Sequence, residues 1–292
     1  MLKKWLILPL ILCLLICLPA CSAQAREDFT VVTSFYPLYV AALNVIGQTP
    51  GVGLSMMAPP DTGCLHDYQL RPQDMAALER CDLFIVNGAG LETFLDNVLT
   101  RYPDLPLCAA SSGVDFLTGG DTGVVNPHAW VSVRWYVRYV ENIRDGLCAA
   151  DPAHAGVYGN NAARYIEALT ALYDEMNTTL SGLSRRDIVT FHEAFPYFAA
   201  DFGLRIAAVI EREPGEAPSP AELAGTIDIV RRAGVTALFA EPQYAPAAAQ
   251  TIARETGAVV YTLDPVVTGE LRADAYESAM RKNMETLLEA LG

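Results

Sequence analysis

The 292-residue sequence predicts an α/β protein of two lobes. Each lobe is a mostly parallel sheet flanked by helices, and one long backbone helix joins them. Three observations predict this. Short apolar runs suited to strands alternate with runs whose apolar residues recur at helical spacing, the signature of βα units. The rhythm occurs twice, in residues 28–150 and again in residues 184–292. Between the two, residues 151–183 carry one uninterrupted amphipathic helical pattern.

The chain opens with MLKKWLILPLILCLLICLPAC, in which Lys3 and Lys4 precede an apolar run ending Leu18-Pro19-Ala20-Cys21. This is the layout of a secretory signal over residues 1–20, too short and wrongly flanked for a stable membrane span. The ending has the form of a bacterial lipobox, in which Cys21 would carry lipid and begin the mature chain. An uncleaved signal anchor is the alternative. Residues 21–27 are small and polar, as a tether should be.

FTVVTSFYPLY supplies the first strand and its exit, GLSMMAP the second, LFIVNG the third and LCAAS the fourth. PQDMAALERC and LETFLDNVLTRY are the intervening helices. In the connecting segment Asp151 is placed to cap and Pro152 to occupy the first helical position. Tyr158, Ala162, Tyr165, Leu169, Leu172, Tyr173, Met176 and Leu180 then repeat at three- and four-residue steps until Gly182. If about thirty residues are helical, the connector is about 45 Å long, a stiff strut. Beyond it DIVTFHE, RIAAVIE, TALFAEP and VVYTLDP read as strands. PYFAADFG, SPAELAGTIDIVRRAG, PAAAQTIARETG and SAMRKNMETLLEALG read as helices. Ser219, with Pro220 after it and Glu222 three positions on, forms a capping box, and Gly234 is a stop.

With 52% hydrophobic and 18% charged residues, the chain is long and apolar enough for two cores. Its formal charge is −14, and removal of the leader takes two lysines and no acid. Such a body repels nucleic acid and anionic lipid headgroups. Of seven cysteines, Cys13 and Cys17 leave with the signal and Cys21 is the lipidation candidate. Cys64, Cys81, Cys108 and Cys148 remain, an even number in an exported protein, where disulfides are permitted. Their pairing is open. Cys64 is expected in a bridge, the alternative being a thiol two residues from a candidate ligand. No C-x-x-C pair suggests a thiolate zinc site.

The four histidines carry most of the functional signal. His66 follows the second strand, His128 follows the fourth and a glycine-rich loop, and His192 ends the fifth. Asp264 ends the last strand and Glu241 another. In parallel α/β sheets ligands gather outside the carboxyl ends of the strands. His154, near the start of the connector, reads as surface. Each residue has a plainer reading: a loop pair for His66-Asp67, a turn or cap for His128, core packing for His192, a turn before proline for Asp264. Jointly these require three unrelated histidines to share one edge of the fold. Three imidazoles and a carboxylate suit a divalent transition ion, and the carboxylate lowers the net charge of the site from +2 to +1. Asp67, Glu193 and Glu241 are candidate acceptors for the outer ring N–H groups.

SFYPLY, HDYQLRPQDMAALERCDLFIVNGAGLETFL, NPHAWVS, TFHEAFPYFAADFGL, EPGEAPSPAEL, ALFAEPQY and LDPV occur in this order. In them the chain resembles the metal-binding lipoproteins of bacterial ABC importers for zinc and manganese, the cluster A-I solute-binding proteins. The resemblance covers nearly all of the mature chain. It implies a metal in the cleft between the lobes, with ligands at His66, His128, His192 and Asp264. It further implies delivery to a membrane permease, a monomer, and a place on the outer face of the cytoplasmic membrane or in the periplasm. Histidine at the third ligand position favours zinc; manganese or iron is the alternative. This sequence departs in three places. LTGGDTGVVNPH lacks the histidine-rich metal-collecting loop, Cys64 replaces a proline-containing turn, and LDPVVTG stands where LDPLG is usual.

Two further classes deserve weighing, an envelope zinc hydrolase and an adhesin. Against the hydrolase, HEAFP is not H-E-x-x-H and no G-x-S-x-G elbow is present. Four protein ligands would also close the water position that catalysis needs. For an adhesin, no apolar or aromatic patch stands out.

Overall fold

The computed structural model describes residues 28–66, 68–119, 123–210, 218–243 and 247–292. The signal over 1–20, the tether with Cys21, and Asp67 lie outside the described residues.

In chain order the strands are β1 Phe29–Thr33, β2 Val52–Met56, β3 Leu83–Val86, β4 Leu107–Ala109, β5 Thr118–Gly119, β6 Val124–Val125, β7 Asp187–Thr190, β8 Arg205–Val209, β9 Ala237–Ala240 and β10 Val259–Thr262. The helices are α1 Tyr36–Ile46, α2 Pro72–Leu78, α3 Leu95–Arg101, α4 Val133–Ala150, α5 Ala155–Ser181, α6 Pro196–Phe202, α7 Pro220–Ala233, α8 Ala247–Thr256 and α9 Ala275–Leu291. The first four strands form one sheet, order β2-β1-β3-β4. The last four form another, order β10-β9-β7-β8, and β5 and β6 make a small antiparallel ribbon. All ladder pairs within the two large sheets are parallel. Counted within its own lobe, each sheet has the order second-first-third-fourth. Each therefore has a switch point between its first and third strands, β1/β3 and β7/β9, the crevice where parallel α/β sheets receive ligands.

The core strands are buried because apolar residues fill them. All of Leu83–Val86 and of Ala237–Ala240 is buried, as expected for parallel strands covered on both faces. Helix α1 buries Tyr36, Pro37, Leu38, Val40, Ala41, Ala42, Val45 and Ile46. It is apolar nearly all round, so it shows no helical stripe, and the sequence reading passed over it as the exit of a strand. The capping box expected at α7 is formed: Ser219 N donates to Glu222 Oε2 at 2.9 Å and Glu222 N to Ser219 Oγ at 3.3 Å. Gly234 ends the helix at φ +62°.

The connector is α5, 27 residues and about 40 Å long. Its start departs from expectation. Pro152–His154 form a 3₁₀ turn, and the Asp151 side chain caps nothing. Its carboxylate instead accepts from Tyr158 OH at 2.6 Å and pairs with His154 Nδ1 at 2.7 Å. Those contacts satisfy the acid better than a helix amide would, and they leave His154 half-buried rather than simply on the surface.

The lobes are joined by more than the strut. Tyr136 of α4 and Tyr276 of α9 stack with centroids 3.7 Å apart and planes at 10°. Tyr276 OH donates to Trp130 O at 2.8 Å, and Trp130 Nε1 donates to Pro265 O at 2.9 Å. Ser132 Oγ donates to Asp201, and Tyr36 OH donates to Glu270 O at 2.7 Å. One hydrophobic core therefore runs from Val31 to Leu291, and a second, smaller one lies under α7 and α8.

The disulfides expected among Cys64, Cys81, Cys108 and Cys148 are not present; no two of these thiols are bridged. Three of them turn to carbonyl groups in separate places: Cys81 to Leu78 O, Cys108 to Asn142 O, Cys148 to Ala155 O. Burial pushes the thiol of Cys81 up to about 11 and that of Cys108 up to about 12, with Asp82 and Asp145 adding to it. Both are packing groups. Cys64 has a different neighbourhood, described below.

Cys108 also explains Gly146 in the middle of α4. A Cβ on that glycine would lie 2.8 Å from Cys108 Sγ and 3.1 Å from Cys108 Cβ, too close for the helix to rest on β4. Gly146→Ala should cost about 1–3 kcal/mol despite the better helix propensity of alanine. The double variant with Cys108→Ala should recover part of the loss, measured by urea unfolding at unchanged m-value.

Candidate metal centre

Three of the four histidines come together. His66 enters from the loop after β2. Leu65, fully buried, anchors that loop, and Cys64 and His66 flank it. Downstream the loop is tied by Asp74, which accepts from Tyr68 OH at 2.7 Å, Arg71 N at 2.8 Å and Arg71 Nη2 at 2.9 Å. Burial alone would raise the Asp74 carboxyl, but these bonds hold it below the usual range. Arg71 Nη2 also donates to Met57 O at 2.9 Å, which returns the loop to the end of β2.

His128 follows Asn126-Pro127 and is buried, 3% exposed. Pro127 O accepts from Asn87 Nδ2 at 3.2 Å, and Asn87 Oδ1 accepts from Tyr139 OH at 2.7 Å. The buried Glu92 carboxylate fixes the same region by accepting from Ser34 Oγ at 2.8 Å, Asn87 N at 2.7 Å and Gly88 N at 3.0 Å. These bonds tie the ends of β1 and β3 to Pro127, the residue before His128.

Asn126 decides which ring nitrogen of His128 is bare. Asn126 Nδ2 donates to Glu193 O at 2.8 Å, so Oδ1 is its remaining acceptor. That oxygen accepts from His128 N at 2.9 Å and lies 2.9 Å from His128 Nδ1. Nδ1 therefore carries the proton and Nε2 presents a lone pair. At that lone pair His66 Nε2 stands at 3.2 Å and Cys64 Sγ at 3.4 Å.

His192 comes from the other lobe, at the end of β7. Its ring meets that of His128 at 4.6 Å and that of His66 at 6.0 Å, both edge-on at 89°. His192 Nδ1 lies 3.4 Å from Glu241 Oε1 across the β7/β9 switch point. Neither atom has a well-formed hydrogen bond. Glu241 is itself 2% exposed, and its Oε2 accepts from Gln243 Nε2 at 2.6 Å. A buried carboxylate backing an imidazole is the pairing that orients metal-binding histidines.

Asp264, expected in the same set, sits on the rim. Its backbone N donates to Asn283 Oδ1 at 2.8 Å, and its Oδ1 accepts from Val266 N at 2.7 Å. Val266 is held at φ +58°, a conformation a β-branched residue adopts only under constraint. Burial, and after it the charge of Glu241, push the Asp264 carboxyl above its usual range, while the Val266 amide opposes them. Among the described residues, the group whose donor atoms all lie within 4.8 Å of one another is Cys64, His66, His128 and His192, without Asp264. Of the acids expected behind the rings, Glu241 faces His192. Glu193 takes part through its backbone carbonyl, on Asn126. Asn126 itself was legible only as part of a turn.

The arrangement is a cluster of electron-pair donors close enough together to hold one metal ion. Burial, then the proximity of His192 and His66, hold His128 well below the ordinary imidazole range. It is thus neutral and ready to donate.

Residues 31–290 match the family model described as zinc-uptake complex component A, periplasmic (ZnuA). The iron-binding protein YfeA of Yersinia pestis is 30% identical over 92% of this chain and 88% of its own. The zinc-binding lipoprotein AdcA of Streptococcus pneumoniae is 31% identical over 98% of this chain, which spans only 60% of the streptococcal protein. Among solved structures, the solute-binding protein FpvC of Pseudomonas aeruginosa in complex with Mn²⁺ superposes with a TM-score of 0.81 at 29% identity. That match covers 90% of this chain and 98% of the other.

The neutral state of His128 has a measurable consequence. Unfolded, the residue takes a proton near pH 6.5; folded, it resists, so below that pH the unfolded state binds more protons. Stability of metal-free protein should therefore be full above pH 6.5 and fall as the pH drops below it. Urea unfolding of chelator-treated protein from pH 7.5 to 5.5 checks this, and His128→Asn should flatten the slope.

Proposed function

The chain belongs to the zinc-uptake complex component A family, extracytoplasmic solute-binding proteins that hold metal and are not enzymes, and from that membership we propose that it captures a divalent transition ion, zinc first, in the cleft between its lobes. It then delivers the ion to the permease of an ABC importer. His66, His128 and His192 supply the nitrogen ligands, and an anionic side chain completes the set. The sequence nominates Asp264 for that role. Lipid on Cys21, after loss of residues 1–20, would hold the protein near its permease. The body would then comprise a lobe over 28–150, the linking helix over 151–183 and a lobe over 184–292.

One observation carries the reading: the 3.2 Å between the Nε2 atoms of His66 and His128. Tetrahedral zinc at 2.0–2.1 Å from each nitrogen would set them about 3.4 Å apart. Two histidines sixty-two positions apart along the chain are thus already spaced as neighbours on one ion. The relatives' names mention iron, zinc and manganese, and solved structures hold manganese, nickel or zinc. Zinc is preferred here because three imidazoles suit it better than they suit the harder manganese. Manganese or iron remains the second choice.

Release follows from where the ligands sit. His66 and His128 belong to one lobe, His192 and Asp264 to the other. A shift of the C-terminal lobe by a few ångströms withdraws His192 or Asp264, and the long helix with its tyrosine stack limits the travel.

Competition titration against a chelator, with zinc and manganese in parallel, tests the proposal. Wild-type protein should take one zinc per chain and prefer zinc. Asn126→Ala should weaken zinc by about 10–100-fold, the usual cost of losing a group that orients a ligand, and His192→Ala by more. A wild-type protein that takes up no transition ion would overturn the proposal.

A further inference from the structure

We propose that the anionic ligand is the thiolate of Cys64, giving a centre of Cys64, His66, His128 and His192, with Asp264 a neighbouring acid that does not bind the ion. This rests on the metal-capture reading above and sharpens it. The site becomes a three-nitrogen, one-sulfur centre built for zinc and against manganese.

Geometry makes the assignment. The donor atoms of these four residues share one space, all within 4.8 Å of one another. Cys64 Sγ stands 3.4 Å from His128 Nε2, the same lone pair that His66 Nε2 approaches. On tetrahedral zinc, a sulfur at 2.3 Å and a nitrogen at 2.0–2.1 Å lie about 3.6 Å apart, so little movement is needed.

Local structure explains why the sulfur is there. In Cys64-Leu65-His66 the central leucine is fully buried, and the two flanking side chains reach the same point as a two-residue chelate. Gly63 at φ +84° supplies the turn that brings the segment in. By contrast, Asp264 Oδ1 already serves the Val266 amide.

The chemistry balances simply. Cys64 Sγ loses its proton to solvent as the ion binds, and the sulfur donates an electron pair. A thiolate lowers the charge of the site by one, as a carboxylate would. It differs in softness, because thiolate selects zinc while carboxylate and water suit manganese. The same chemistry makes the centre a good host for cobalt(II), which reports sulfur ligation directly.

The test is cobalt(II) and zinc binding to the metal-free full chain under reducing conditions. Variants are Cys64→Ser, Cys64→Ala and Asp264→Asn, each checked for a wild-type thermal transition. Wild type should bind one cobalt and show an intense near-ultraviolet sulfur-to-cobalt band. Cys64→Ser and Cys64→Ala should still bind one cobalt but lose the band. Their preference for zinc over manganese should fall on the order of tenfold or more. Asp264→Asn should keep the band, which reports sulfur alone. If wild type binds one cobalt without the band, or if the Cys64 variants keep the zinc preference, the sulfur ligand is wrong while metal capture stands. If wild type binds no ion, both readings fall together.

Discussion

The amide of Asn126 is the constraint on which the centre depends. Its nitrogen is committed to Glu193 O in one lobe and its oxygen to His128 in the other. An amide cannot turn over without losing both contacts, since its two ends are a donor and an acceptor. One side chain therefore fixes the tautomer of His128 and the approach of the lobe carrying His192. Tyr197 reinforces the joint: its hydroxyl donates to Asn126 O at 2.7 Å and accepts from Leu117 N at 2.9 Å. Ligand geometry and lobe spacing are thus one variable.

The fold supplies the rest by repetition. Both large sheets have the same internal order, so each offers one crevice, and the rings of His128 from one lobe and His192 from the other meet with centroids 4.6 Å apart. From the N-terminal sheet come His66 and His128, on loops rather than strand ends. Their precision depends on buried acids: Asp74 ties the loop of His66, and Glu92 ties the strand ends beneath His128. From the C-terminal sheet come Glu241, directly after β9, and His192 and Asp264, each two residues past the end of its strand. Glu92 illustrates the cost of this design. Burial pushes its carboxyl above the usual range, and the hydrogen bonds from Asn87, Ser34 and Gly88 oppose that shift without cancelling it.

How much of this was legible in the sequence depended on how local each signal was. The strands of the second half were readable because uniform apolar runs end abruptly in a polar residue, and those residues proved to be His192, Glu241 and Asp264. The capping box at Ser219 was readable because it is complete within four residues. Helix α1 was hidden because burial on all sides erases the periodicity that marks a surface helix. Asp151 misled because an acid before a proline predicts a cap, yet Tyr158 and His154 offered it stronger partners. Cys64 misled for a different reason. Export makes a disulfide the default for an even set of cysteines, and nothing local tells a bridge from a ligand. Only the fold shows that its sulfur shares a lone pair with a histidine sixty-four residues away.

Charge explains why such a cluster is stable enough to wait for its ion, and why it needs one. Glu241 is buried and Asp264 half-buried, and the charge of Glu241 adds to burial in disfavouring the charge of Asp264. The imidazole of His128, held neutral, cannot offset that repulsion, and its Nε2 lone pair faces His66 Nε2 at 3.2 Å and Cys64 Sγ at 3.4 Å. A dication between the lobes satisfies both needs at once. It accepts the lone pairs and relieves the repulsion behind them. Opening the lobes would undo both together, because His128 stands on one lobe and His192 on the other.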